Sequence, residues 1–434
     1  MKFPGQRKSK HYFPVTSRSS LDFDVHYKAA TYSTHIVGID QVLVDIEAKV
    51  DDDFIAKYEL KVGNSLLIDN DKAQQLYDEL TERNLILSEF AGGTIGNTLH
   101  NYSTLADDRS VLFGVMSENI KVGSYAYRYL CNTSSRVDLN FLQPVAGAIG
   151  RCFTLISACG ERTFAISKGY MDKLEPQYIN EAVIASASAL VITAYLMRAD
   201  EGDQISEATM NAIRLAQKAD VPVVLTLGTR FLIEQDPSWW LAFIEEHVSV
   251  VAMNEEEAAA LTGHVEPLGA IEQVLNHCDL VLCTSGKAGL YMGGYTENMA
   301  KRETSQPLLS GVVSDFNRYE FSRPMSRDAC EQPMKVYSHI SPYMGGPEKI
   351  RNTNGAGDGA LAALLHDMAA NNYHKMNVRN SSKHKYDGLC YSSFSQICKY
   401  ANRVAYAVLE QHSPRLSRGL PEREDSLEEA YWER

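Results

Sequence analysis

From residue 35 onward the chain alternates short apolar runs with stretches whose apolar positions recur at helical spacing. Residues 35–39 form an apolar run leading to Asp40 and predict a first strand. Residues 42–51 alternate apolar and acidic side chains, the pattern of a half-buried strand, so the carboxylate of Asp45 points either to solvent or into a cleft. Ala73, Leu76 and Leu80 mark one face of a helix over 71–84. After it comes Phe90-Ala91-Gly92-Gly93-Thr94-Ile95-Gly96-Asn97. Two glycines before a helix either let a ligand approach the backbone or make a tight turn that leaves Asn97 exposed. A buried strand follows at 111–116. Residues 151–156 and 162–166, divided by Ala158-Cys159-Gly160-Glu161, read as a hairpin set apart from the main sheet.

Beyond residue 187 the alternation becomes regular, with strands at 189–193, 223–227, 248–253 and 280–284 and helical segments between them. Continuous apolar strands separated in this way imply an α/β fold: a doubly wound, mostly parallel sheet with helices on both faces, here with the hairpin as an antiparallel flap. Ligands on such sheets bind beyond the carboxyl ends of the strands. Asn254 with Glu255, Glu256 and Glu257 stands at one of these ends, and Thr284-Ser285-Gly286-Lys287-Ala288-Gly289 at the next. The glutamates are either a solvated helix start, favoured by the helix dipole, or a place for Mg²⁺, directly or through water. Thr284 and Gly286 offer a hydroxyl and a backbone N–H to phosphates.

Composition narrows the function classes. With 44% hydrophobic residues in 434, the chain can bury one large core or two ordinary ones. A formal net charge of -13 and a pI near 5.4 argue against a nucleic-acid partner. Eight scattered cysteines form no C-x-x-C pair and no metal-like cluster, which suits a reduced cytoplasm. Residues 1–34 are a polar, basic and aromatic extension without the apolar core of a signal peptide. The longest apolar stretch, 182–197, is too short and too rich in Ser and Thr to span a bilayer, so no membrane is expected.

The densest chemistry lies in Asn352-Thr353-Asn354-Gly355-Ala356-Gly357-Asp358-Gly359 and the apolar run 360–365 after it. Glycines ahead of a helix expose backbone N–H groups at its positive end, which makes a phosphate cradle. A carboxylate at the mouth of that cradle repels phosphate unless it has a task. Asp358 either takes a proton from a hydroxyl attacking phosphorus or caps the helix. Gly355, Gly357 and Ala360 also fit a dinucleotide fingerprint, but residues 348–352 are too polar for the buried strand that motif needs.

Gly92-Gly93 with Asn97, Asn254-x-x-Glu257 followed by Leu261-Thr262-Gly263, Thr284-x-Gly286, Gly355-Ala356-Gly357-Asp358 and Ala401-Asn402 stand in the order of the ribokinase-like, or PfkB, carbohydrate kinases, which the chain resembles over residues 35–412. Val44-Asp45-Ile46 resembles the nucleoside-kinase branch. The whole-chain pattern, including 414–425, is most similar to bacterial members that act on guanosine and inosine.

The resemblance implies ATP-dependent phosphorylation of the 5′-hydroxyl of a purine nucleoside for salvage. Asp358 would be the base, and Gly355, Ala356 and Gly357 would neutralise the γ-phosphate. Asp40, Asp45, Gly92, Gly93, Asn97, Arg162 and Phe164 would bind the nucleoside, with Phe164 either stacking on the purine or sitting in the core. Asn254, Thr284, Gly286, Gly289, Asn354 and Asn402 would join the cradle in binding ATP, and Glu257 would place Mg²⁺ through water. Relatives extend the cofactor expectation to a monovalent cation such as K⁺, and the partner expectation to a homodimer. The kinase domain would span 35–412, with lid strands within 42–52 and 120–170. It would carry an insertion over 295–347, which either shapes the pocket or a dimer contact or is a surface excursion, and a tail over 413–434. Asn352 stands where the family usually has Asp. That departure keeps open a second function, a purine-nucleotide sensor without turnover. Among enzymes the alternative is an adenosine or sugar kinase.

Overall fold

The computed structural model describes residues 34–420 apart from 107, 198–203, 309–310, 314 and 344–349. The expected N-terminal extension, all but Thr34, lies outside the described residues, as do the tail from 421 and Glu348 and Lys349 of the stretch before the cradle. The chain begins with β1 (His35–Ile39) and crosses to the lid by β2 (Leu43–Lys49). There α1 (Asp52–Lys57), β3 (Ser65–Leu67), α2 (Asn70–Glu82) and β4 (Ile86–Ala91) follow before α3 (Thr94–Ala106) returns to β5 (Arg109–Ser117). Next come α4 (Tyr125–Cys131), the short strands β6 (Val137–Asp138) and β7 (Leu142–Val145), and the hairpin β8 (Gly150–Ile156) and β9 (Arg162–Ser167).

The regular half follows as α5 (Glu181–Ala185), β10 (Leu190–Thr193), α6 (Ile205–Lys218), β11 (Val223–Thr226), α7 (Arg230–Ile233) and α8 (Pro237–His247). It continues through β12 (Val250–Asn254), α9 (Glu255–Thr262), α10 (Pro267–Val274) and β13 (Leu280–Ser285). Two antiparallel strands, β14 (Gly289–Glu297) and β15 (Pro333–Ile340), precede α11 (Ala356–Asn377) and α12 (Phe394–Leu409). The main sheet runs β15-β14-β13-β12-β11-β10-β1-β5-β6, with β7 also paired to β5, and is parallel from β13 onward.

Successive residues of its strands feed opposite faces. Leu190 and Ile192 join Val37, Leu225 and Val251 in a cluster with residues of α6, α8 and α10, whereas Val191 joins Ile36, Val224 and Leu282 in one with α3, α11 and α12. Burying a Val, Leu or Ile is worth about 1.5–3 kcal/mol each, which keeps polar side chains out of these strands until their carboxyl ends. No helix among the described residues is long and apolar enough to cross a membrane.

The hairpin does stand apart, in a second sheet of order β3-β9-β8-β2-β4. Val44, Ile46 and Ala48 are fully buried in the cluster that holds Leu76 and Leu80 of α2, which leaves Leu43, Asp45 and Glu47 on the other face. The lid therefore contains β3 and β4 besides the strands read from the sequence. In the insertion region, β15 pairs along β14, and Val313 and Phe316 pack with Leu268 of α10, Tyr291 and Tyr337 at that edge of the sheet.

Candidate active site

Asp358 lies in the first turn of α11 and is half-buried. The N-cap is Gly355, in the left-handed region at φ +80°, so the capping position is already filled by a residue without a side chain. The carboxylate of Asp358 instead accepts from Asn97 Nδ2 at 3.2 Å, across from α3. Of the two roles read from the sequence, the cap is thus not the one its side chain serves.

On the α3 side, Asp40 follows the carboxyl end of β1. Its Oδ1 accepts from Gln41 N–H at 3.0 Å and its Oδ2 from Gly96 N–H at 2.7 Å. A Cβ at Gly93 would stand 2.2 Å from Asp40 Oδ2, and one at Gly92 would stand 2.3 Å from Asp45 Oδ2. The paired glycines are therefore demanded by the close approach of two carboxylates. Asp45 points into the cleft, and Asn97 is 6% exposed rather than on the surface. In the lid ladders Asp45 sits across from Phe90 and Cys152, and Cys152 across from Ile166. Phe164, two residues from Ile166, is half-buried on the same face. Arg162 Nη1 donates to Asn354 Oδ1 at 2.7 Å, tying the lid to the cradle loop.

Burial is the first cause of unusual acidity here. Asp40, Asp45 and Asp358 are each pushed up to about 7 by desolvation. Asp358 adds repulsion at Asp40, and Asp45 does so at Asp358. Arg415 and the donated hydrogen bonds pull the other way. Cys152 donates to Asp45 and lowers it in part. Glu257 is likewise raised to about 7, by burial, with Asp358, Glu256 and Glu255 adding to the effect and the Asn254 N–H opposing it.

At the carboxyl end of β12, Asn254 and Glu257 form a capping box on α9. Asn254 Oδ1 accepts from Glu257 N–H at 2.8 Å, and Glu257 Oε2 accepts from Asn254 N–H at 3.0 Å. Asn254 Nδ2 also donates to Glu257 Oε1 at 3.0 Å. The parallel register sets Asn254 beside Thr284 at neighbouring carboxyl ends. Gly286 and Gly289 both have positive φ, and a Cβ at Gly289 would meet Ile340 O at 2.1 Å. Asn402 Nδ2 donates to Ser341 O at 2.9 Å and so holds the chain that follows β15.

Asn352 is 4% exposed. Its Oδ1 accepts from Asn354 N–H at 2.9 Å and its Nδ2 donates to His412 O at 2.8 Å. Asp could not make the second bond, so the amide is accounted for by local structure. Arg415 is a site residue that the sequence analysis missed. It is 4% exposed, and its Nε donates to Asn97 Oδ1 at 2.9 Å. It lies in a short polar segment after α12 with no periodicity or motif to announce it.

Gly355→Ala is expected to lower the melting temperature and, on the phosphate-cradle reading of the sequence, kcat/KM for ATP. A left-handed non-glycine residue costs about 1–2 kcal/mol, near a factor of ten, and the new Cβ would lie 2.4 Å from Pro414 Cβ. Thermal melting and steady-state kinetics check this. Unchanged ATP kinetics would remove the phosphate role from the cradle.

The family model described as pfkB family carbohydrate kinase matches residues 61–304. The chain is 64% identical over 434 residues to the guanosine-inosine kinase of Escherichia coli strain K12, covering 100% of both chains. Among solved structures it is similar to an adenosine kinase from Sinorhizobium meliloti, with a TM-score of 0.63 at 20% identity over 89% of this chain and 97% of that one. A probable sugar kinase from Rhizobium etli also has a TM-score of 0.63, at 18% identity over 92% and 98%. At these identities the two structures show the ribokinase-like fold.

Proposed function

Since the chain belongs to the pfkB family of carbohydrate kinases, we infer that it transfers the γ-phosphate of ATP to the 5′-hydroxyl of a purine nucleoside, converting guanosine and inosine to their monophosphates. The observation that carries this reading is the placement of Asp358. A carboxylate raised to about 7 stands in the first turn of α11, next to backbone N–H groups and held by Asn97. Near neutral pH such a group is poised to accept a proton. Identity of 64% over the whole length to a guanosine-inosine kinase supports the choice of acceptor.

Asp358 accepts the proton of the 5′-hydroxyl as that oxygen attacks phosphorus. The N–H groups of Gly355, Ala356 and Gly357, at the positive end of α11, offset the charge that gathers on the transferring group. Asp45 and Asn97, with the backbone of Gly92 and Gly93, hold the ribose. The lid face that carries Asp45, Phe90 and Phe164 covers the nucleoside and excludes water. Asn254, Thr284 and Gly286 line the ATP side. The donor set fits Mg²⁺, since Glu257 is a buried carboxylate whose charge is opposed by Asp358. Glu257 would hold the ion through water, and the bound ion supplies positive charge against the phosphate oxygens. The cysteines are all free, which supports a reducing, cytoplasmic setting. A sensor without turnover loses its motive, because Asn352 is used up in bonds to Asn354 and His412.

ADP release from Mg·ATP, measured with guanosine, inosine, adenosine and ribose offered separately, tests the reading. Turnover is expected with guanosine and inosine above the other two. Preference for adenosine or ribose would overturn the choice of substrate, and silence with all four acceptors would overturn the kinase.

A further inference from the structure

The segment after α12 turns back across the site. His412 O accepts from Asn352, and Pro414 O accepts from Asn101 Nδ2 at 3.1 Å. Leu416 N–H donates to Asn101 Oδ1 at 2.8 Å, and His100 Nε2 lies 2.9 Å from Leu416 O. Pro414 also packs on Gly355 of the cradle. One short strap therefore touches the cradle on one side and α3 on the other.

Arg415 extends from this strap into the site. Besides Asn97 Oδ1, its guanidinium donates to Gly92 O at 3.2 Å, Asn132 O at 3.2 Å and Thr133 Oγ1 at 2.6 Å, and it lies 5.0 Å from the centre of the Tyr129 ring. A guanidinium carries donors and no acceptor. Asn97 must therefore present its oxygen to Arg415, which leaves its NH₂ for Asp358. The amide has one usable orientation, and Arg415 sets it. Arg415 is also the cation whose field opposes the repulsion among Asp40, Asp45 and Asp358.

We propose that Arg415 is a positioning residue for phosphoryl transfer: acting through Asn97, it orients the Asp358 carboxylate toward the acceptor hydroxyl and offsets the charge gathered around it. This rests on Asp358 being the base. The strap is then part of the catalytic apparatus, and not only a clasp on the outside of the fold.

The test compares wild type, Asp358→Asn, Arg415→Met, Arg415→Lys and the double variant Asp358→Asn/Arg415→Met. For each, kcat, the KM values for guanosine and ATP, and the melting temperature are measured. Arg415→Met should lower kcat by about 10- to 100-fold, the scale of a lost charge-assisted hydrogen bond, with KM for ATP within about threefold. The double variant should be no slower than Asp358→Asn, because a residue acting through the base has nothing left to orient. Arg415→Lys keeps the charge but cannot reach Asn97, Gly92 and Thr133 together, and should fall between wild type and Arg415→Met. Should the Met variant not fold, Arg415→Lys and its double with Asp358→Asn carry the same comparison. Additive losses overturn the proposal, as would a kcat within about twofold of wild type in a variant whose melting temperature has dropped. Near-normal turnover of Asp358→Asn would overturn the base assignment itself, and the proposal with it, whatever the Arg415 variants do.

Discussion

Asp358→Asn is expected to lose about two to four orders of magnitude in kcat, the range for removing a general base, and to melt at a higher temperature than wild type. The two effects have one origin. A carboxylate whose folded value is about 7, against an ordinary value of 3.8, binds its proton more tightly in the folded chain. The folded state thus holds more protons between those values, and stability falls as pH rises from about 4 to about 7. An amide has no charge to desolvate and removes that loss. The gain in melting temperature should be largest above pH 7 and should shrink toward pH 5. Calorimetry across that range, beside ADP release at each pH, checks both halves. In wild type, kcat/KM should fall as pH drops through about 7, because the base must be ionised. A variant that turned over at the wild-type rate would end the role of Asp358. One that was inactive and less stable would point to a structural role for the carboxylate instead.

Asp45→Ala should raise KM for guanosine by about a hundredfold or more. It removes charge-assisted hydrogen bonds to the ribose hydroxyls worth about 1.5–3 kcal/mol each, where 1.4 kcal/mol is a factor of ten. A site built to bond a hydroxyl also rejects an analogue that lacks it. Wild type should therefore discriminate strongly against 2′-deoxyguanosine, and Asp45→Ala should lose most of that discrimination. Because the Asp45 charge raises Asp358, its removal should also carry the acid limb of kcat/KM to lower pH. Substrate kinetics with the two nucleosides over a pH series measure all three effects. An unchanged KM for guanosine would place ribose recognition on other residues.

Much of the fold was legible because burial writes directly onto composition. Strands covered on both faces, such as β10 and β11, must be apolar throughout and so appear as runs. The lid hairpin appeared because an exposed turn with a left-handed Gly160 divides two strands of seven and six residues. β3 did not, since its three residues include Leu66 and Leu67, both exposed, and carry no pattern. β4 is half-covered and has only two buried residues at its end. In the site, Gly92-Gly93, Asn254, Thr284 and the glycines before Asp358 marked a strand's carboxyl end or a helix start, whereas Asp45 and Asn402 lie within β2 and α12. What the sequence left open was the choice between local and distant partners. Asp358 and Asn97 could each be read as a cap or a turn residue. The bond between them crosses 261 positions, and no window of sequence contains both. Arg415 lay further out of reach, 318 positions from the amide it holds.

That separation bears on how the protein is made. Among the described residues, both sheets and the helices through α11 lie before residue 378, so during synthesis they can leave the ribosome and begin to pack while α12 and the strap are still in the exit tunnel. Contacts closing loops of some three hundred residues are the slowest kind to form. Activity should therefore appear after compactness in a refolding time course. Translation products that stop short of Arg415 would look folded by circular dichroism, yet would contribute little to the turnover of a preparation.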